Sequence, residues 1–325
     1  MMGNVKWGII STAKIGINNV IPALQQANNC EVAAISSRSA DKAQKAASKL
    51  NIPRSYGSYE ELLSDDEVDA VYNPLPNHLH VPLSIKAMEA GKHVLCEKPV
   101  AMTADEAGKL LEASHEHPDL KVMEAFMYRF HPQWIKAKAM VDNGDIGKLQ
   151  TINSFFSFYN DDPDDIRNRP EMGGGGMMDI GCYCISLSRF LFDREPSKAI
   201  GEWKIDPKFD VDYLASGILD FGTGTATFSC ATQTEACQEV NIVGTTGRIT
   251  MEVPFNPPPD ERTRIWLYQN GRKEEFTFEP VNQYTLQAEE FAQAVIENRD
   301  VPTPLEDALN NMKVIDAFKK SARKN

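Results

Sequence analysis

Two periodicities alternate over the first 125 residues of the chain. Short apolar runs at Lys6–Ile10, Glu31–Ile35, Ala70–Asn73, His93–Cys96 and Lys121–Phe126 have the length and continuity of buried strands. Longer amphipathic stretches between them predict helices over Lys14–Ala27, from Ser39 to Leu50, and from Asn77 to Gly91. Ser39 and Asn77 stand where N-caps are wanted. Ser58-Tyr59-Glu60-Glu61 and Thr103-Ala104-Asp105-Glu106 each set a glutamate three residues after a hydroxyl, the pattern of a capping box. Strand, helix, strand at this spacing requires right-handed crossovers and a parallel, doubly wound α/β sheet.

Beyond that point the pattern changes. Leu149–Tyr159, Ala199–Ile205, Tyr213–Phe221, Thr225–Thr232, Glu239–Met251 and Arg262–Tyr268 read as strands, several set apart by glycine turns such as Gly222-Thr223-Gly224 and Gly244-Thr245-Thr246-Gly247. A large, mostly antiparallel open sheet in an α+β domain is expected. A helix over Met177–Phe192 interrupts it, and two more, near Tyr284–Asn298 and Leu305–Ala322, close the chain. Pro254–Pro259 reads as a surface loop. A chain of 325 residues exceeds one small core. The division expected is residues 1–125 and 126–325.

Composition narrows the partners. The hydrophobic share is 42% and the charged share 25%, enough apolar material for two cores. A net charge of -12 without a basic cluster argues against nucleic acid and anionic membrane surfaces. The opening MMGNVKWGII enters a strand at once, so no secretory signal is expected, and no apolar run reaches the roughly 20 residues of a membrane helix. Six cysteines form no disulfide framework. The Cys182/Cys184 pair reads as buried thiols in a reducing, cytoplasmic setting. No serine elbow, Walker loop or H-E-x-x-H occurs, and the scattered histidines are too sparse for a metal site.

The candidate chemistry begins after the first strand, at Ser11-Thr12-Ala13-Lys14-Ile15-Gly16. A dinucleotide turn places G-x-G-x-x-G here, so that backbone can approach a pyrophosphate at a helix N-terminus. Ser11, Ala13 and Gly16 stand at those three positions. After the second strand, where an acid would take a ribose 2′-hydroxyl, the chain has Ser37 and Arg38. A hydroxyl and a guanidinium suit a 2′-phosphate, which points to NADP over NAD; the alternative is a solvated surface arginine. Leu75, Asn77 and His80 follow the next strand, as ligand contacts or as a helix cap with a surface histidine. Glu97-Lys98-Pro99 ends the strand after that. Charge there is costly unless paired or used. Lys98 can exchange a hydroxyl proton beside a nicotinamide, or merely pair with Glu97.

In the second half, Gly173-Gly174-Gly175-Gly176 precedes Asp179 and Tyr183, which lie four apart on one helical face. A phenol and a carboxylate on one face suit a polyhydroxylated substrate and a proton relay, and the alternative is a glycine hinge before a solvated face. Arg167 and Arg169 can reach cofactor or substrate, or pair with the neighbouring aspartates.

Taken together, Trp7–Gly16, Ser37-Arg38, Asn77–His80, Gly91–Pro99, Glu124–Pro132, Gly173–Tyr183 and Glu306–Leu309 resemble the glucose-fructose oxidoreductase/inositol dehydrogenase (Gfo/Idh/MocA) family over nearly the whole chain. The resemblance is closest to its dimeric dihydrodiol dehydrogenases and NADP-dependent D-xylose dehydrogenases. It implies an NAD(P)-binding Rossmann domain, then an open-faced sheet domain for substrate binding and oligomerisation, with the final helix returning to the first domain. It also implies Lys98 as catalytic lysine, Tyr183 at an acid/base position with Asp179 beside it, and a homodimer or homotetramer through the second sheet. The activity implied is hydride transfer between the nicotinamide and a hydroxyl or carbonyl carbon of a sugar, polyol or cyclic diol, bound between the nicotinamide and the exposed sheet face. Two other classes share the fold: a non-catalytic NAD(P)-binding sensor, and a glycosidase that recycles bound NAD. Intact Lys98 and Tyr183 argue against the first, and Ser37-Arg38 against the second.

Overall fold

The apolar runs of the N-terminal part are strands of one sheet in the computed structural model, which describes residues 3–322. They are β1 (Val5–Ile10), β2 (Cys30–Ser36), β3 (Arg54–Tyr56), β4 (Ala70–Asn73), β5 (His93–Cys96) and β6 (Val122–Glu124). All neighbours pair in parallel in the order β3-β2-β1-β4-β5-β6, so the chain reverses its direction of winding between β1 and β4. Brief β3, half-buried at the edge, is not foreseen by periodicity.

The crossovers carry α1 (Ile21–Leu24), α2 (Ala40–Leu50), α3 (Tyr59–Leu63), α4 (His80–Glu89) and α5 (Ala104–Glu116). Ser39, Ser58 and Thr103 cap their helices as expected. In both capping boxes the glutamate reaches one residue further back than the standard motif: Glu61 accepts from Gly57 N–H at 2.9 Å and Glu106 from Met102 N–H at 3.0 Å. The expectation of an Asn77 cap is corrected. Asn77–Leu79 is a 3-10 turn, and α4 starts at His80 with Leu79 in the cap position.

The chain divides into two units. The first runs to Met127 and takes up Asn282–Leu309; the second is Tyr128–Val281 with the chain from Asn310 onward. Helix α6 (Pro132–Asp142) and strand β7 (Leu149–Tyr159) open the second unit. Then come α7 (Cys182–Phe192), β8 (Lys198–Ile205), β9 (Asp212–Asp220), β10 (Thr225–Ala231), β11 (Gln233–Gly244), β12 (Gly247–Met251), β13 (Thr263–Gln269) and β14 (Arg272–Phe278). The strands form one sheet, β14-β13-β12-β11-β7-β10-β9-β8, antiparallel except for β7 with β10. Two elements escape periodicity. Strand β14 lies at the edge, where charged residues replace alternation. Helix α6 buries only Gln133, Trp134, Ala137 and Met140, a thin stripe.

The two closing helices are α8 (Gln283–Glu297) and α9 (Leu305–Ala322). Helix α8 belongs to the first unit, where the Phe291 ring packs on Trp7 at 5.3 Å. The division falls within α9. Its Phe318 lies so close to β8 that a Cβ on Gly201 would come within 1.9 Å of the ring. Pro254–Pro259 is not simply a surface loop: Phe255 is fully buried, because Trp134 Nε1 donates to the Pro254 carbonyl at 2.5 Å and Gln238 Oε1 accepts from Phe255 N–H at 3.1 Å. Five of the six cysteines are buried, Cys182 and Cys184 among them, and Cys237 is exposed. Among the described residues no helix is long and apolar enough to cross a membrane.

His131 caps α6 by accepting the Gln133 N–H at Nδ1, 3.2 Å away. Burial pushes its pKa down to about 4. An unfolded histidine takes its proton near pH 6.5, so the stabilising term is complete above that value. It is lost at about 1.4 kcal/mol per pH unit as the pH falls towards 4. His131→Asn keeps a capping acceptor and removes the titration. Chemical denaturation from pH 7 to pH 4 is expected to show a shallower fall for the variant, and equal slopes would refute this.

Candidate functional site

In the first unit the candidate residues gather at the carboxyl ends of β1, β2, β4 and β5, around the point where winding reverses. That is where open parallel sheets bind ligands. Ser11 follows β1 at φ +80°, a left-handed conformation that glycine would take without cost. The fingerprint's first glycine is therefore replaced while its backbone conformation is kept. Ser11 Oγ accepts the Ala13 N–H at 3.2 Å, which helps to hold the turn. The helix begins at Lys14 and runs through a π turn, Gly16–Val20, into α1, ending earlier than the Lys14–Ala27 pattern suggests. Thr12 and Ala13 lie between strand and helix, and Lys14 and Ile15 open the helix.

At the end of β2, Ser37 is buried; its N–H donates to the Tyr56 carbonyl at 3.1 Å, and its Oγ accepts from Ser39 N–H at 3.3 Å. Arg38 is exposed and lies at the Tyr59 phenol, whose pKa burial raises and the guanidinium opposes. A small residue in a tight left-handed turn, with a serine and a guanidinium one strand away, fits a dinucleotide carrying a 2′-phosphate.

After β4 the loop is fixed from within. Asn73 donates to the His80 carbonyl at 3.1 Å and to Ser84 Oγ at 3.2 Å, and accepts from Leu75 N–H at 3.3 Å. His80 is 1% exposed, with Nδ1 2.8 Å from the Pro99 carbonyl and Nε2 2.6 Å from the Leu75 carbonyl. Both ring nitrogens thus face loop carbonyls; the neutral ring donates to one of the two, and only the imidazolium donates to both. Burial holds its pKa down at about 4, against the pull of the two carbonyls towards the cation.

The segment after β5 is held from three sides. The buried Tyr72 hydroxyl donates to Glu97 Oε1 at 2.7 Å, and Tyr284 of α8 feels the same carboxylate. Burial, then Glu97, raises the Tyr72 pKa well above its usual value, so the phenol stays a donor. His80 takes the Pro99 carbonyl, and Glu124 Oε1 accepts from Val100 N–H at 2.7 Å. The Lys98–Pro99 peptide is cis. The sequence does not single out Tyr72, Glu124 or Tyr284 as site residues. A polar group inside an otherwise apolar strand is the one signal that marks the first two.

In the second unit Asp179 and Tyr183 sit on a helix that also opens with a π turn, Met177–Gly181, followed by α7. The Cys182 N–H reaches back five residues to the Met177 carbonyl. Such turns recur at functional positions. Arg167 Nε donates to Asp179 Oδ2 at 2.7 Å and Nη1 to Asp165 Oδ1 at 3.2 Å. The charge of Asp179, then that of Asp165, holds the guanidinium firmly protonated. Of the two readings open for Arg167, pairing with aspartates is the arrangement present. Arg169 pairs with Asp164 at 3.0 Å. Tyr183 is 4% exposed, and its ring is walled by Phe255 at 5.4 Å, Phe156 at 5.7 Å and Tyr128 at 5.8 Å. Tyr128 and Arg129 both bond Ser186 Oγ, at 2.8 and 2.9 Å, one turn further along α7. Among the described residues no group of three or more metal-ligating side chains comes together.

Residues 5–126 match the model of an oxidoreductase family with an NAD-binding Rossmann fold, and residues 134–250 match a GFO/IDH/MocA C-terminal domain. An uncharacterized oxidoreductase of Rhizobium meliloti is 42% identical over 99% of this chain and 98% of its own. A D-xylose 1-dehydrogenase (NADP(+)) of Haloferax volcanii is 39% identical over 97% of each. The crystal structure of a 3-ketoreductase from Actinomadura kijaniata, in complex with NADP and TDP-benzene, superposes with a TM-score of 0.91 at 30% identity, covering 98% of both chains.

His80→Ala would strand the Leu75 and Pro99 carbonyls in a buried place. It is expected to lower stability by about 1–3 kcal/mol in urea denaturation. An unchanged midpoint would show that these contacts contribute nothing.

Proposed function

This chain belongs to the GFO/IDH/MocA oxidoreductase family, and from that premise we propose that it moves a hydride between NADP and a hydroxyl or carbonyl carbon of a sugar, polyol or cyclic diol. The observation that carries the reading is the Glu97-Lys98-Pro99 segment, fixed by Tyr72, His80 and Glu124 at the end of a strand in a sheet ordered 3-2-1-4-5-6. Its support for NADP is the Ser37-Arg38 pair with no acid at the end of β2, together with relatives named for NADP. Ser11 to Ile15 would face the pyrophosphate, Ser37 and Arg38 the 2′-phosphate, and Leu75, Asn77 and Glu97 the remainder. Arg167, also proposed as a cofactor contact, pairs with Asp179.

Bound NADP supplies the site where a hydride is accepted or released. The protein's share is proton management. Oxidation of a hydroxyl requires its proton to leave, and either the Lys98 amine or the Tyr183 phenol, acting as its conjugate base, takes it; reduction reverses the transfer. Arg167 holds the Asp179 carboxylate on the helical face it shares with Tyr183, where it would accept hydrogen bonds from substrate hydroxyls. The aromatic wall of Phe156, Phe255 and Tyr128 limits the movement of the phenol and keeps water from its ring.

Fluorescence titration is expected to show NADPH binding more tightly than NADH, and Arg38→Ala is expected to weaken NADPH alone by about tenfold or more. A panel of pentoses, hexoses and cyclic diols, D-xylose included, is expected to reveal NADPH formation. Lys98→Ala and Tyr183→Phe should each cut that turnover by about 10²–10⁴-fold. Folded variants with wild-type turnover would overturn the roles, and binding of neither cofactor would overturn the reading.

The same proposal includes self-association, as a homodimer or homotetramer, through the eight-stranded sheet. Ile218 (46% exposed), Ile200 and Phe155 stand on its outer face, apolar where a solvated face would be polar. Ile218→Glu is expected to shift sedimentation towards the monomer, and an unchanged assembly would exclude this face.

A further inference from the structure

The helix that carries Asp179 and Tyr183 begins without a cap of its own. Gly176 stands in the cap position and has no side chain to receive the first N–H groups. The preceding residues have no room for one. A Cβ on Gly174 would lie 2.5 Å from the Arg167 carbonyl oxygen, and one on Gly175, at φ +108°, 2.2 Å from Asp212 Oδ1. The cap comes instead from β9. Asp212 Oδ2 accepts the Met177 N–H at 2.6 Å, and the carboxylate fills the space where a side chain at position 175 would lie.

Asp212 is 6% exposed, an expensive place for a carboxylate without a task. Burial pushes its pKa up to about 7, against the Met177 N–H and the charge of Lys319 on α9, whose ammonium lies 3.1 Å from Met178 Sδ. The buried Cys230 thiol also feels the charge of Asp212. Asp179 follows the bonded amide by two residues and Tyr183 by six, so the register of both is set at this contact.

We propose that Asp212 is a positioning residue: by accepting the Met177 N–H it fixes where Asp179 and Tyr183 stand. The role assigned to it in turnover rests on the reading of Tyr183 given above. What matters is the acceptor oxygen rather than the charge, so Asp212→Asn rescues what Asp212→Ala loses.

Two measurements test this. Hydrogen exchange across residues 177–183 needs no substrate. Asp212→Ala is expected to speed it by about tenfold, the usual weight of a lost cap, with Asp212→Asn close to wild type. Exchange in the alanine variant equal to wild type overturns the proposal. Should that variant fail to fold, Asp212→Ser, whose hydroxyl falls short of the amide, reads the same loss. The second measurement is a double-mutant cycle on the most active sugar of the panel. Asp212→Ala is expected to lower kcat by about tenfold while NADPH affinity is unchanged, and to cost less in a Tyr183→Phe background, where only the placing of Asp179 is left to lose. An equal loss in both backgrounds overturns the proposal. Wild-type turnover in Tyr183→Phe alone would instead sink the catalytic reading, while the exchange result still decides the anchor.

Discussion

A buried parallel sheet must turn its chain at the carboxyl end of each strand, and every polar group exposed by those turns needs a partner. The imidazole of His80 meets this need most directly, lying between the carbonyls of Leu75 and Pro99 and so tying the loop after β4 to the loop after β5. The rest of the first unit's candidate site depends on that tie. Glu124 completes the hold on the next peptide, and Tyr72 turns the neighbouring carboxylate to one side. Lys98 is therefore borne on a backbone fixed at Glu97, Pro99 and Val100, which is what a proton-transferring group needs if its amine is to return to one place in each cycle.

The second unit reaches the same end by different means. The helix of Asp179 and Tyr183 starts from a glycine run too crowded for side chains and opens in a π turn, and the helix after β1 also runs through one. In both places a residue beyond the local segment, or an unusual backbone angle, supplies what the local sequence omits. Ser11 adopts the angle of a glycine, and Asp212 supplies a cap from another strand. The aromatic cluster of Tyr183, Phe156, Phe255 and Tyr128 then walls in the phenol ring.

The sequence announces whatever is local. Glu97-Lys98-Pro99, Ser37-Arg38 and the Asp179–Tyr183 spacing lie within a few residues of one another, and the buried strands of the first sheet are continuous apolar runs. Contacts between distant positions are not legible. Asp212 bonds a residue 35 positions away, and Tyr72 one 25 away, and nothing in either neighbourhood names its partner. A histidine near a strand end reads as a ligand contact or a surface residue, and burial between two carbonyls excludes the second. Strand β14 is hidden by its charges, and Phe255 by the prolines around it, which signal a turn irrespective of what the turn buries.

NADP is proposed to lie across the carboxyl ends of β1, β2, β4 and β5 with its reactive ring at Lys98. A crystal structure of the protein grown with NADPH tests it most directly. Density is expected for the 2′-phosphate against Ser37 and Arg38, for the pyrophosphate over Ser11–Ile15, and for the nicotinamide within hydrogen-bonding reach of the Lys98 amine. A nucleotide bound away from these loops, or a nicotinamide turned away from Lys98, would contradict it.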